Sequence, residues 1–156
     1  MTTDAGGRAP WADIAGRMRG PGHVLAVRVY YEDTDFSGVV YHASYLRFCE
    51  RGRTDLLRLA GITHTELLGG AGNVPVVLAV RRIEADFLGT AKIDDVLEVS
   101  SQVSKISGAR IFIDQSIAHM DKVLFRAHVV VVVLGIDRRP KRVGKKLGAA
   151  LLSTIS

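Results

Sequence analysis

Between Ala43 and Ala60 the larger apolar residues fall at Tyr45, Phe48, Cys49, Leu56 and Leu59, in steps of three, four and seven, with Gly52 on the same face. That spacing predicts an amphipathic helix, because residues three and four apart share one side of a 3.6-residue turn. Glu50, Arg51, Arg53, Asp55 and Arg58 occupy the other face, where opposite charges three or four apart add a little support. Gly61 stands at the left-handed stop position. Thr63 and Glu66 have the form of a capping box, which predicts a short second helix over Thr65 to Leu68, halted by Gly69, Gly70 and Gly72.

Elsewhere the chain reads as strand. Val24, Val27, Val29 and Tyr30 give a β-rich stretch ending at Tyr31, and four more β-rich runs follow at Val74 to Phe87, Asp95 to Lys105, Arg110 to Met120 and Lys122 to Ile136. Leu97, Val99 and Val103 alternate with Glu98, Ser100 and Gln102, the pattern of a strand with one wet face. Ser107-Gly108 and Asp121-Lys122 fall where tight reversals belong, so the sheet is expected to be largely antiparallel. One strand, one long helix and four more strands make an α+β domain with the helix laid on one face of a five-stranded sheet. A single helix leaves part of such a sheet uncovered, and Val129 to Leu134 is apolar on both faces, which points to self-association.

The ends differ from this middle. Residues 1–22 are rich in small residues, with Pro10 and Pro21, and read as a loosely ordered arm with a short helix around Ala12 to Met18. The domain proper is expected over 23–137. Residues 138–156 read as a basic tail ending in a short helix through Leu147, Leu151 and Leu152.

Composition bounds the rest. At 156 residues, 47% hydrophobic and 24% charged, the chain is an ordinary single globular domain. Its one cysteine, Cys49, excludes an intramolecular disulfide and a cysteine-held zinc, and its place on the apolar helix face makes it a packing residue rather than a nucleophile. His23, His64, His119 and His128 lack metal-ligand spacing and read as structural or surface residues. The first residues hold no apolar stretch of signal-peptide length, and the longest apolar run, Val129 to Ile136, is far short of the roughly 20 residues that span a bilayer. A cytoplasmic location is the expectation, with peripheral membrane association as the most that the charge suggests. That charge is +5, thickened by Arg138, Arg139, Lys141, Arg142, Lys145 and Lys146. Without a recognition motif or interleaved aromatics, it does not indicate nucleic acid.

Candidate chemistry concentrates between Tyr30 and Tyr45, where a strand runs into an acidic loop and then into the main helix. The first N–H groups of a helix lack internal partners and form a positive pole, suited to a carbonyl oxygen that gains charge during attack. A carboxylate in the adjoining loop supplies a nucleophile or a base. Glu32, Asp33 and Asp35 crowd within four positions, which tends to raise the pKa of some of them. From generic patterning alone, a turn whose solvated acids merely cap the helix is the better reading, since Asp-x-x-Gly is a weak signal.

The longer string changes that weighing. Val27-Arg28-Val29-Tyr30-Tyr31-Glu32-Asp33-Thr34-Asp35, then Gly38-Val39-Val40-Tyr41-His42-Ala43-Ser44-Tyr45, Glu50-Arg51 and Arg53-Thr54, closely resembles the 4-hydroxybenzoyl-CoA thioesterase superfamily, and within it the YbgC-like acyl-CoA thioesterases associated with the Tol-Pal system of bacteria. The resemblance runs from about Val27 to Leu134. It implies a hotdog fold, with an antiparallel sheet wrapped around the long helix and active sites shared across a homodimer or homotetramer. It places the catalytic carboxylate on Asp35, sets His42 beside the thioester carbonyl, gives Tyr31 a role in orienting water or substrate, and lines the substrate with Gly38, Val39 and Tyr41. No cofactor is implied beyond the coenzyme A carried by the substrate, and acyl carrier protein is an alternative carrier. Phe36 and Ser37 depart from the usually small residues of the family, and Gly52 stands where alanine is common. Arg81, Arg82, Arg110, Arg126, Lys141 and Arg142 are candidates to meet coenzyme A phosphates, none of them singled out by sequence. Two rival readings share the fold: a hydratase acting on enoyl thioesters, and a non-catalytic module that docks acyl carrier protein or an envelope complex.

Overall fold

The long helix organises the core. In the computed structural model, which describes residues 14–70 and 74–155, helix α1 runs over His42–Leu59 and buries Ser44, Tyr45, Phe48, Cys49, Gly52, Asp55, Leu56 and Leu57. Two positions depart from the expected stripe. Leu59 is 43% exposed at the helix end. Asp55, expected on the charged face, is buried, because His23 donates from Nε2 to its Oδ2 at 2.6 Å and the Gly16 amide donates to the same oxygen at 2.8 Å. Two donors on one carboxylate offset much of its desolvation.

Among the described residues the sheet has six strands rather than five: β1 (Arg17–Arg19), β2 (Gly22–Arg28), β3 (Val76–Phe87), β4 (Val96–Ser107), β5 (Arg110–His119) and β6 (Lys122–Gly135). Their order is β1-β2-β4-β5-β6-β3, and every neighbouring pair is antiparallel. Helix α1 lies across β2, β4 and β5. Leu97, Val99, Ser101 and Val103 of β4 turn toward it, as do Ile111, Ile113, Gln115 and Ile117 of β5, while Gln102 and Asp114 turn to solvent. The period-two alternation of the sequence thus sets the core face.

β1 replaces part of the helix expected around Ala12 to Met18. Arg17 and Met18 are in extended backbone paired with β2, and Arg19 reaches Glu98 on β4 with a guanidinium–carboxylate bond of 2.9 Å; Ala12 and Asp13 lie outside the described residues. Pairing with an existing strand outweighs weak local helix propensity.

The second helix, α2 (His64–Leu68), carries both arms of the Thr63/Glu66 capping box, and Gly61 and Gly70 adopt φ of +86° and +85°. Gly72 lies outside the described residues. The segment after β6 doubles back rather than trailing away: the Lys141 amide donates to the Val133 carbonyl, and the Val143 amide to that of Gly108. Helix α3 (Lys145–Leu152) then inserts Leu147 and Leu151 into the core.

β3 forms one edge of the sheet, paired only with β6 among the described strands, and exposes Val77, Val80 and Phe87. Its register slips between Val80 and Arg82, and that of β4 with β5 slips between Val103 and Lys105.

Gly52 explains how closely α1 approaches the sheet. A Cβ there would come within 2.9 Å of Val99 Cγ1 and 3.0 Å of Ser101 Oγ. Overpacking of that kind costs about 1–3 kcal/mol, against a helix-propensity gain of about 1 kcal/mol. Gly52→Ala is therefore expected to lower the midpoint of thermal or urea unfolding; a variant more stable than the parent would show that the contact yields freely.

Candidate active site

The loop between β2 and α1 is closed on itself before the helix begins. Tyr31–Asp33 form a single 3-10 turn, and Thr34 then pairs with Val40 across a short antiparallel bridge. The Asp35 amide donates to the Val39 carbonyl at 3.1 Å and the Gly38 amide to the Asp35 carbonyl at 3.0 Å, so residues 35–39 form one tight reversal. Gly38 has φ +86°, a conformation that side chains with Cβ resist, which is why glycine belongs at this corner.

Asp33 fastens this loop to the helix. Its carboxylate, 3% exposed as a residue, accepts the Tyr30 amide at 2.9 Å, and its carbonyl accepts both the Tyr41 amide at 2.9 Å and the Ser44 hydroxyl at 3.0 Å. Of the three crowded acids, Asp33 is therefore structural, while Glu32 and Asp35 face solvent.

Asp35 is held by its neighbour. The Ser37 hydroxyl and, at 2.8 Å, the Ser37 amide both donate to Asp35 Oδ1. These donors lower the Asp35 pKa below the ordinary carboxylate value, the hydroxyl most, the amide next, with a smaller contribution from nearby His42. For Asp35, crowding does not raise the pKa. Oδ2 has no partner among the described residues and is the oxygen left to act.

The start of α1 complements it. The N-cap residue, Tyr41, makes no side-chain capping bond, and the amides of His42 and Ala43 have no acceptor among the described residues. Two unpartnered N–H groups at the positive end of an 18-residue helix form a ready acceptor site for a carbonyl oxygen. The His42 ring stands edge-on to Tyr41 at 4.5 Å between centroids and to Phe87 at 6.1 Å. Phe87 in turn meets Tyr45 and Phe125, so the helix entry is backed by an aromatic wall.

Of the residues singled out from sequence, Asp35, Gly38, Val39, Tyr41 and His42 share this loop and helix start. Tyr31 does not join them within one chain: the residue is 83% exposed, and its ring makes no hydrogen bond or ring contact among the described residues. Two further residues belong to the site that the sequence did not mark as such: Ser37, which holds Asp35, and Phe87, which backs His42. Ser37, two residues from Asp35 and able to donate twice, was legible as an Asx-type turn; Phe87 reaches the site only through the pairing of β3 with β6. Cys49 is buried, and burial pushes its thiol up to about 12, far from a reactive thiolate. Among the described residues, no group of three or more His, Cys, Asp or Glu is placed to hold a metal.

Among the described residues the site is open, with Phe36, Tyr31 and Tyr41 exposed around it. The large apolar cavity lined by Ile62, Leu67, Val76, Val133 and Leu147 belongs to the other end of α1 and touches none of these residues.

Residues 29–151 match the model of the thioesterase-like superfamily. The chain is 38% identical to the acyl-CoA thioesterase YbgC of Haemophilus influenzae, over 83% of this chain and 93% of that protein. It is 35% identical to the acyl-CoA thioester hydrolase YbgC of Escherichia coli, over 79% and 90% of the two chains. The crystal structure of a probable thioesterase from Bartonella henselae superposes with a TM-score of 0.77 at 40% identity, covering 79% of this chain and 99% of that one.

The Ser37 bonds carry a direct test. In Ser37→Ala the hydroxyl donor is lost, so the Asp35 titration midpoint, followed by carbon-detected NMR, should rise toward the ordinary value of about 3.9. An unmoved midpoint would remove Ser37 as the cause.

Proposed function

The chain belongs to the thioesterase-like superfamily and has its hotdog fold, and from that premise we propose that this enzyme hydrolyses acyl-CoA thioesters with Asp35 and the first turn of α1. The observation that carries the reading is the closeness of an ionised carboxylate to the adjoining helix start, with no partner for Asp35 Oδ2 or for the His42 and Ala43 amides among the described residues.

The chemistry follows from those parts. The carbonyl oxygen of the thioester accepts from the helix amides, and the charge that develops on it during attack is stabilised where the helix dipole is positive. Asp35 Oδ2 either takes a proton from the attacking water or attacks the carbonyl carbon itself; in the second case water then hydrolyses the anhydride and returns the carboxylate. The thiolate leaves without strong acid assistance, and the products are a free carboxylate and coenzyme A. His42 positions the carbonyl through its amide, and Phe87 offers apolar surface to the acyl group. Short- to medium-chain and aromatic acyl groups suit a wall of this kind. The cytoplasm, where coenzyme A esters are made, is the compartment in which this activity belongs.

A second copy completes the site. β3 is an edge of the sheet among the described strands, with Val77, Val80 and Phe87 exposed along it, and the entry to α1 is exposed among the described residues. Antiparallel pairing of two β3 edges in a homodimer hides this surface and closes the cleft over Asp35.

Purified protein incubated with short-, medium-chain and aromatic acyl-CoA should release free thiol. Asp35→Asn should lower kcat by about 100-fold or more, the scale of losing a general base, with the far-ultraviolet circular dichroism unchanged. Activity should persist into mildly acid solution, because the lowered Asp35 pKa keeps the carboxylate ionised there, and should fall only as pH drops through that pKa. Silence across the whole panel, or an Asp35→Asn variant with the parent rate, would defeat the proposal.

A further inference from the structure

Five elements each bring an apolar side chain to one hollow beyond the C-terminal end of α1: Ile62 from the loop after α1, Leu67 from α2, Val76 from β3, Val133 from β6 and Leu147 from α3. Its volume is about 370 Å³, within the range of pockets that hold small ligands, roughly 300–1,000 Å³. Ile62, Val133 and Leu147 are buried members of the core, so the wall is held in place by the fold itself. Asp35, His42 and Phe87 do not line it.

The rim of this hollow is cationic. The segment after β6 doubles back along the sheet, with the Lys141 amide on the Val133 carbonyl, and so carries Lys141, Arg142 and, in the first turn of α3, Lys146 to the cavity. Lys141 pairs with Asp137 at 3.6 Å, whereas Arg142 and Lys146 have no acidic partner among the described residues. Glu66 is the one acid among the described lining residues, and its carboxylate accepts the Thr63 amide at 2.9 Å to close the cap of α2. Two unpaired cations thus stand at the mouth of an apolar cavity, and an anion placed between them offsets their repulsion.

Shape and charge together select the ligand. An apolar hollow by itself takes any hydrocarbon, and a basic rim by itself takes any anion. A single alkyl chain that ends in a carboxylate satisfies both, with the chain against Leu67, Val76 and Val133 and the head group between Arg142 and Lys146. We infer that this cavity binds a free medium-chain fatty carboxylate, at a site separate from Asp35. The inference does not rest on the thioesterase reading: the ligand class follows from the cavity and its rim, and binding is measured without turnover.

Calorimetric titration with hexanoate, octanoate, decanoate and dodecanoate, each below its micelle concentration, tests this. Binding should saturate, and affinity should rise roughly fourfold per added methylene until the chain fills the cavity. The alcohol of the same chain length should bind about tenfold more weakly, the scale of a lost charge-assisted hydrogen bond. The double variant Arg142→Gln, Lys146→Gln, at two exposed positions, should lose about tenfold in affinity for the carboxylate and none for the alcohol, while Asp35→Asn should bind as the parent does. In NMR spectra the methyl groups of Leu67, Val133 and Leu147 should move during the titration. No saturable binding of any carboxylate, equal affinity of parent and double variant, or methyl shifts confined to Val39 and Val40 beside Asp35 would overturn the site. Capture of the parent on phosphatidylglycerol vesicles without uptake of the free acids would assign the rim to a membrane surface and overturn it as well. A parent that binds the carboxylates and cleaves no thioester keeps the site and loses the proposed function.

Discussion

The buried carboxylate of Asp33 is the constraint on which the site depends. It takes the Tyr30 amide at one end of the loop, and its carbonyl takes the Tyr41 amide and the Ser44 hydroxyl at the other. Each bond satisfies a group that would otherwise be desolvated without a partner, so the loop has one low-energy way to meet α1. Because the chain turns at Asp33, Asp35 emerges beside the first turn of the helix instead of ahead of it. Asp33 and Asp35 are two residues apart in the same acidic cluster, yet one is buried as a fastening and the other exposed to solvent.

Around that fastening, the fold keeps the start of α1 fixed and polar while its middle is dry. Phe48, Cys49 and Leu56 bury against β4 and β5, and Gly52 lets the helix settle onto Val99 and Ser101. Further along, the pair of Asp55 with His23 ties the helix to β2 and to the backbone at Gly16. A helix pinned at its middle and far end holds its N-terminal amides still, which is the preorganisation that stabilising a developing oxyanion requires. The open face above the site and the exposed edge of β3 are the surfaces that the proposed second copy would cover.

What the sequence made legible was local. The three-and-four spacing of Tyr45, Phe48 and Cys49 gave α1 to within one residue at each end, Thr63 and Glu66 gave the cap of α2, and β-rich runs gave five strands, β2 to β6, since each signal is complete within a few residues. The loop string from Tyr30 to Tyr45 gave the family. What escaped depends on contacts between distant positions. Asp55 read as a surface charge because its partner, His23, is 32 residues away. The strand at Arg17–Arg19 exists by pairing with β2. The basic segment after Gly135 read as a tail because Leu147 and Leu151 find their burial against strands 40 or more residues earlier. Nothing in the period of β3 announced the bulge that sets Arg81 apart from Arg82.

The central claim is that one carbonyl oxygen meets the start of α1 while its carbon faces Asp35. A crystal structure of the assembled oligomer with an inert acyl-CoA analogue, in which a methylene replaces the sulfur, tests this most directly. The account predicts the ketone oxygen within hydrogen-bond distance of the His42 or Ala43 amide, about 2.7–3.2 Å, with Asp35 Oδ2 turned toward the carbonyl carbon. A ketone bound elsewhere in the cleft, with both amides occupied by water and Asp35 turned away, would contradict it.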